Sequence, residues 1–561
     1  MIRMMKSKWF VPLVALLLLG VTLCLLAMQN WDSAEAPVFS KKSGFYQDAF
    51  YLEMTADNAI EIYYTLDGSV PDKTSLRYKE PVLINDATPN ENVYSMRTDT
   101  SAGFYKDLLE KYQTTDAYPG YVPPDFPVDK CTVVRAVAYS NSGKFSQTTT
   151  ATYFVDKDAG DFDANVISLV TAPENLFDEE TGIYVTGTSL ESYLMSGDVN
   201  PNWRMWKSNY RNRGQKWERP VELAIFDKEG NLLDAGEAGL RIHGGISRGL
   251  LPRGLNLYAR AETGDNSSFN IAFSGSDYRA KRVTLNSGGN QTITLFPDVL
   301  MTEMTRGLNY ASLEFEPCVL FINGEYWGFY WLSPKYDEQY IAYQYGVAED
   351  NIIMVKNNTL ELGKGNDLNR YIELKSFITG NDMSVAANYE AACELIDLDS
   401  FIDYYATMVY ISREEDWPSS NFALWRTRTV VEDQEYADGK WRWMMFDCNS
   451  LCMRDDKGLT EKDSLQFVIE SDPLFGAMWA NDSFKALFEK RILEIGSTCF
   501  DKDTVSAYID AYIVKMKPTL EKSWARFYGK NNTKEMAFYE MMESHRAFFN
   551  GRYETVSAWF Q

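Results

Sequence analysis

The chain has 561 residues, room for roughly two to four domains that each bury a core, and its 45% hydrophobic and 14% aromatic content excludes general disorder. With 79 acidic residues against 55 basic ones, the net charge of −24 repels nucleic acid and anionic membrane over most of the surface and suits a basic or cation-rich partner. The 7 cysteines lack the density of a disulfide scaffold and the paired spacing of a zinc site, so buried free thiols are expected, with a Cys448 to Cys452 disulfide as the lesser alternative.

At the N-terminus Arg3, Lys6 and Lys8 precede an apolar run over residues 9–28, long enough to cross a bilayer. The positive flank predicts that everything after Gln29 lies outside the cytoplasm. Ala34-Glu35-Ala36 has the small-x-small form of a cleavage site, but Pro37 and the length of the run favour a retained anchor over residues 1–29.

Residues 37–155 read as a small antiparallel β-sandwich. Short runs at 50–53 and 59–65 end in the turn Leu66-Asp67-Gly68-Ser69, and runs at 132–139 and 148–154 flank Ser140-Asn141-Ser142-Gly143. The polar stretch 85–130 between them predicts a long surface excursion. The stretches Y-Y-T-L-D-G-S-V-P and V-R-A-V-A-Y-S-N-S-G resemble the chitobiase/β-hexosaminidase C-terminal type of β-sandwich, an accessory module in bacterial surface proteins. No aromatic platform for sugar is evident, so a spacer or protein-contact role stands beside sugar binding.

A polar join at 156–163 opens a third region, 164–561. Strands are predicted at 166–170, 221–226, 238–241 and 254–258, interrupted by Gly244-Gly245-Ile246-Ser247-Arg248. A turn with Ser and Arg at its tip can bring backbone N–H groups and a guanidinium to a phosphate, or be an ordinary hairpin. A strand at 282–285 leads to a helix at 298–307 containing Glu303, and Asn323-Gly324 joins aromatic strands at 319–322 and 326–332. Helical spacing follows at 337–345, 368–377, 397–411, 482–495, 503–518 and 534–549. Strands first and helices after predict an α+β domain of two lobes with a cleft between them.

The stretch 412–449 carries the chemistry. Asp416 lies in a loop, Asn421 follows five positions later, and Asp447 ends the apolar run 441–446. One Asp can accept a hydroxyl proton while an amide oxygen and a second carboxylate hold Mg²⁺ on a nucleotide's phosphates, although a turn or cap explains the same residues. Two histidines, His243 and His545, leave little basis for a serine triad or a histidine-ligated metal. Glu414 and Glu415 are candidate paired carboxylates of a glycosidase, but sequence neighbours point apart. Lys356-Asn357-Asn358 reads as a polar loop.

Several stretches together resemble the CotH-like (spore coat protein H) atypical kinases: V-I-S-L-V-T-A-P-E-N-L-F-D-E-E-T-G-I-Y-V, G-L-R-I-H-G-G-I-S-R, L-N-L-Y-A-R, F-I-N-G-E-Y-W-G-F-Y-W-L, E-E-D-W-P-S-S-N-F-A-L-W-R and G-K-W-R-W-M-M-F-D, collinear over 165–527. The resemblance implies a two-lobed protein-kinase-like domain that transfers the γ-phosphoryl of ATP to protein serine or threonine with Mg²⁺ or Mn²⁺. It makes Asp416 the catalytic base, Asn421 and Asp447 metal ligands, and Ser247, Arg248 and Arg253 the groups around the nucleotide's phosphates. It also implies a secreted, surface- or spore-associated protein with a protein acceptor, to which the N-terminal run adds an anchor and the acidic balance a basic or Ser-rich partner and no nucleic acid. The chain departs from the family at Arg253, where Lys is usual, at Pro334 before Lys335, at Asn449 in place of a second acid, and at Gln291. These four exchanges open the alternative of a degenerate kinase that serves as a surface scaffold.

Overall fold

The computed structural model describes residues 34–114, 121–260, 268–273, 276–449 and 451–561. The expected anchor over residues 9–28 lies outside them, and no described helix is long and apolar enough to cross a membrane. The architecture is α+β: a β-rich N-terminal module, a closed barrel, a small sheet, and a helical C-terminal mass.

In the N-terminal module, strands Gly44–Tyr46, Thr149–Val155, Thr132–Ser140, Ala59–Thr65 and Leu76–Arg77 form one sheet in that spatial order. Two ribbons complete it, Val38–Phe39 with Met54–Thr55 and Phe50–Leu52 with Val82–Ile84. Leu52, Met54, Ile84, Val134, Ala136 and Tyr153 fill the space between. The sheet is not wholly antiparallel as expected, because Gly44–Tyr46 pairs parallel to Thr149–Val155.

The stretch 85–130 is no free excursion. Buried Glu325, in the hairpin after Asn323-Gly324, accepts hydrogen bonds from the amides of Val93, Tyr94 and Ser95, and Ala102 is fully buried. A buried carboxylate demands such donors, and consecutive amides of a loop supply them without a helix or strand. Arg135 of the module further pairs with Glu222 of the barrel at 2.6 Å.

Seven strands close the barrel. Asn165–Val170, Arg219–Phe226, Leu232–Ile242, Leu255–Ala259 and Arg282–Asn286 run in chain order, and the hairpin strands Glu325–Pro334 and Glu316–Ile322 complete the circle. Closure comes from a parallel pair, with Val166 opposite Val319. The Asn323-Gly324 turn has the predicted positive φ at both residues, 46° and 90°. A Cβ on Gly324 would meet the Cys131 carbonyl at 2.6 Å, so this tight approach of module and barrel needs glycine.

Below the barrel, strands Thr359–Leu362, Ile352–Lys356, Ala423–Thr427 and Arg442–Met444 form a four-stranded antiparallel sheet in that order. Helix Leu398–Tyr410 packs under it, with every residue from Ser400 onward buried, and Asp397 caps its start by accepting from the Ser400 amide. Helices Asp482–Thr498, Lys502–Tyr528 and Lys534–Ala558 wrap the outside. The second of these runs past the expected stop at Pro518, because Leu520, Trp524 and Phe527 bury one face at 2% exposure or less. That packing outweighs the lost backbone bond.

Candidate active site

Strand register gathers the site. Ala423 stands opposite Met444 on one side and opposite Lys356 on the other. Asn421, just before one strand, and Asp447, just after its neighbour, therefore reach the same end of the sheet as Lys356. Both Asn421 and Asp447 hold left-handed backbone, φ 52° and 54°. Asn and Asp tolerate that region better than other side chains, at a cost of about 1 kcal/mol or more.

Arg413, fully buried after helix Leu398–Tyr410, ties these pieces together. Its guanidinium donates to Oδ1 of Asp416 at 3.2 Å, to the carbonyl of Phe446 at 2.9 Å and to that of Asp447. The Asn421 amide donates to the other oxygen of Asp416 at 2.6 Å. Asp416 is thus held at both oxygens, and Oδ1 of Asn421 is left as an acceptor.

These groups face a cavity of about 510 Å³ between barrel and sheet. The turn Gly244 to Ser247 lies over it, and Asp298, Asp416, Asn421, Asp447, Lys335 and Lys356 line its polar wall. Gly244 has φ 106°, and a Cβ there would strike Ser247 Oγ at 2.3 Å. The cavity's other wall is apolar, with Leu313, Phe315, Met354 and Met445.

Burial pushes the Asp447 carboxyl above its usual range, and its Oδ1 has no hydrogen-bond partner among the described residues. Asp298, at the start of helix Pro297–Met304, is pushed up to about 7 by burial and then by the charge of Asp447. The amides of Cys448, at 2.6 Å, and Asn449, at 3.3 Å, donate to it. Burial lowers the Lys356 amine, against the pull of Glu361 and Asp447. Its Nζ sits 3.6 Å from the Phe446 ring centroid and makes no hydrogen bond or salt bridge among the described residues. Among the described residues, a half-buried cation and a half-buried carboxylate, both with unused capacity, face one space.

The expected phosphate-side residues divide. Ser247 lines the cavity, whereas Arg248 and Arg253 do not. Arg248 spends its guanidinium on the carbonyls of Gly244, Tyr210 and Asn212. Arg253 is wholly buried, donates to the carbonyls of Arg248 and Thr100, and lies 3.8 Å from the Tyr210 ring centroid. Both arginines brace the turn from behind, so the expected contact of Arg248 and Arg253 with phosphates is corrected by their placement. Glu303 pairs on the surface with Arg306 at 3.3 Å. Glu414 turns away to Lys462, and Glu415 accepts from the Leu451 amide, so these two carboxylates do not face one another as a pair.

Pro334 lines the cavity beside Lys335, and Asn449 stands against Gly289 at its edge. Gln291 is buried behind it, its Oε1 unpartnered among the described residues. His243 also lines the cavity, and burial lowers its imidazole to about 3, so it is neutral. Lys356, Asp298 and Arg413 were not among the residues expected here. The lone signal for Lys356 was a lysine closing an apolar run.

Among the described residues no group of three or more His, Cys, Asp or Glu is arranged to hold a metal by itself. The donor set nevertheless fits a hard cation shared with phosphates, which needs only one or two protein oxygens. Oδ1 of Asp447, unpartnered among the described residues, and Oδ1 of Asn421 are two oxygens that could serve.

Two family models match the chain. One described as CotH kinase protein matches residues 240–556, more than half of the chain, and one described as Fn3 associated matches residues 51–153, within the β-rich module. No curated protein matches the chain.

Proposed function

The chain belongs to the CotH kinase protein family, and from that premise we propose that it transfers the γ-phosphoryl of ATP to a serine or threonine hydroxyl of a protein acceptor. The observation that carries this reading is the meeting of Asp416, Asn421, Asp447 and Lys356, from three separate stretches of chain, on one cavity.

Asp416 takes the proton of the acceptor hydroxyl as the oxygen–phosphorus bond forms and the bond to the β-phosphate oxygen breaks, releasing ADP. Arg413 and Asn421 keep that carboxylate oriented. Asn421 and Asp447 would hold Mg²⁺ or Mn²⁺, which supplies charge neutralisation on the phosphates. Lys356 and Lys335 line the cavity and would face the phosphates in the role expected of Arg253, with the turn Gly244 to Ser247 covering them. The acidic surface suits a basic or Ser-rich acceptor, and an anchor over residues 9–28 would present the domain outside the cytoplasm.

A thermal-shift titration with ATP and Mg²⁺ or Mn²⁺, followed by incubation with γ-labelled ATP, tests the reading. A metal-dependent rise in Tm and labelled protein are expected, and Asp447→Ala must abolish the label. Unchanged labelling in that variant sinks the assignment.

One observation favours a binding-only scaffold as a second reading. Where a second acid is usual, Asn449 donates its amide to Asp298 instead of offering a carboxylate. That reading expects no labelled product under any divalent cation.

A further inference from the structure

Between Asp198 and Glu218 the chain has five basic residues, Arg204, Lys207, Arg211, Arg213 and Lys216, and no acidic one, although its net charge is −24. This stretch precedes the residues matched by the kinase-family model. Trp203, Trp206 and Tyr210 anchor it at 1% exposure or less. It packs on the turn over the main cavity: a Cβ on Gly249, at the end of the helical turn Ile246–Gly249, would meet the Arg204 carbonyl at 2.9 Å.

Two arginines of the stretch reach the backbone of that turn and differ in what they have left. Arg211 turns inward and donates to the Arg204 carbonyl at 2.7 Å and to the Ile246 carbonyl at 3.5 Å. Arg213 is exposed and donates to the Gly244 carbonyl alone, at 3.1 Å. The acid nearest to it in sequence, Glu218, is taken by Arg241 and Arg260 at 2.5 and 2.6 Å. Arg213 pairs with no carboxylate among the described residues, so most of its N–H donors are unspent. Gly244, Gly245, Ile246 and Ser247 all line the cavity, which places this guanidinium against its roof.

The charge is felt on both walls. Burial lowers the Arg248 guanidinium to about 10, and the like charges of Arg213 and Arg211 add to the fall. Across the cavity burial lowers the Lys356 amine; Glu361 and Asp447 oppose the shift, and the charges of Lys335 and Arg213 add to it. Arg213 is therefore within Coulombic reach of the far wall, and these cations repel one another until an anion lies between them.

We propose that Arg213 is a nucleotide-binding residue whose unspent N–H groups meet the phosphate chain of a bound nucleoside triphosphate, supplying the roof charge that Arg248 and Arg253 do not. The proposal rests on the nucleotide part of the function proposed above and holds whether or not transfer follows. A guanidinium suits the task because its planar fork pairs with two phosphate oxygens at once, and the Gly244 carbonyl holds it at the roof before the nucleotide enters.

The test titrates the full chain with ATP, and separately with adenosine, in the presence of Mg²⁺ by calorimetry. Arg213→Gln should weaken ATP about tenfold or more and leave adenosine unchanged, and Arg213→Lys should restore part of the loss. The Tm without ligand should stay, because the side chain is exposed and makes one hydrogen bond. Lys216→Gln, also exposed, removes an equal charge from the same stretch and should leave ATP affinity within about twofold. Unchanged ATP affinity in Arg213→Gln, an equal loss for adenosine, or an equal loss in Lys216→Gln overturns the proposal. A native chain that binds no ATP removes the nucleotide reading itself, and the proposal with it.

Discussion

The side-chain amide of Asn421 donates to Oδ2 of Asp416 at 2.6 Å, so one hydrogen bond joins the proposed base to the proposed cation site. Asp416→Asn removes the proton acceptor but keeps its shape. Labelled transfer should fall by about 10²–10⁴-fold while the ATP-dependent rise in Tm persists. Equal activity in the variant would remove Asp416 from the reaction.

Asn421→Leu removes both the bond to Asp416 and the oxygen offered to a cation. The Mg²⁺-dependent part of the Tm shift should vanish, whereas stability without ligand should fall by about 1 kcal/mol, the strain of leucine in the left-handed backbone that Asn421 holds. A preserved Mg²⁺ dependence would show that the cation is held elsewhere.

Lys356→Met keeps a long apolar stem over Phe446 and deletes the charge. Placed against phosphates, the amine contributes a charge-assisted contact, and the KM for ATP should rise by about tenfold or more. In contrast, Arg253→Met should leave three backbone carbonyls short of a donor and cost about 3 kcal/mol or more in stability. Measured together by Tm and ATP titration, the two variants separate binding from bracing: the lysine variant moves KM, the arginine variant moves Tm. A reversed pattern would restore Arg253 to the site.

His545 is fully buried, with Nδ1 at 2.7 Å from the Met453 carbonyl, and burial lowers it to about 4. Arg454 pushes the same way and Asp456 opposes. The unfolded chain binds a proton near the ordinary value of about 6.5 that the folded chain refuses until near 4. The histidine therefore favours the folded state above about pH 6.5, and that contribution is lost as pH falls, by about 1.4 kcal/mol per unit. Urea melts between pH 4.5 and 7 should show the slope for the native chain and a shallower one for His545→Gln. Identical slopes would refute the assignment.

The parts of the site that sequence revealed are the ones whose chemistry is local. Asp416 and Asn421 share one loop, Asp447 closes an apolar strand, and Asn323-Gly324 can make little but a hairpin turn. Lys356 reads as loop from sequence because its role depends on pairing with Ala423, a partner remote in sequence. Arg253 carried the right charge beside the right turn, but nothing in the sequence tells which way a side chain at a barrel mouth points. Thr100 and Arg248, which decide it, come from unrelated stretches. Barrel closure through Val166 and Val319, and the docking of residues 85–130 on Glu325, are likewise set by distant contacts.

The grip of Glu325 on the amides of Val93 to Ser95, with the Thr100 carbonyl on Arg253, couples the β-rich module to the roof of the cleft. A ligand that lifted this segment from the barrel would free Arg253 and slacken the turn it braces, so occupancy at one end would be felt as affinity at the other. Linkage makes the effect mutual: nucleotide that tightens the roof would, to the same factor, disfavour whatever binds by prying the segment loose.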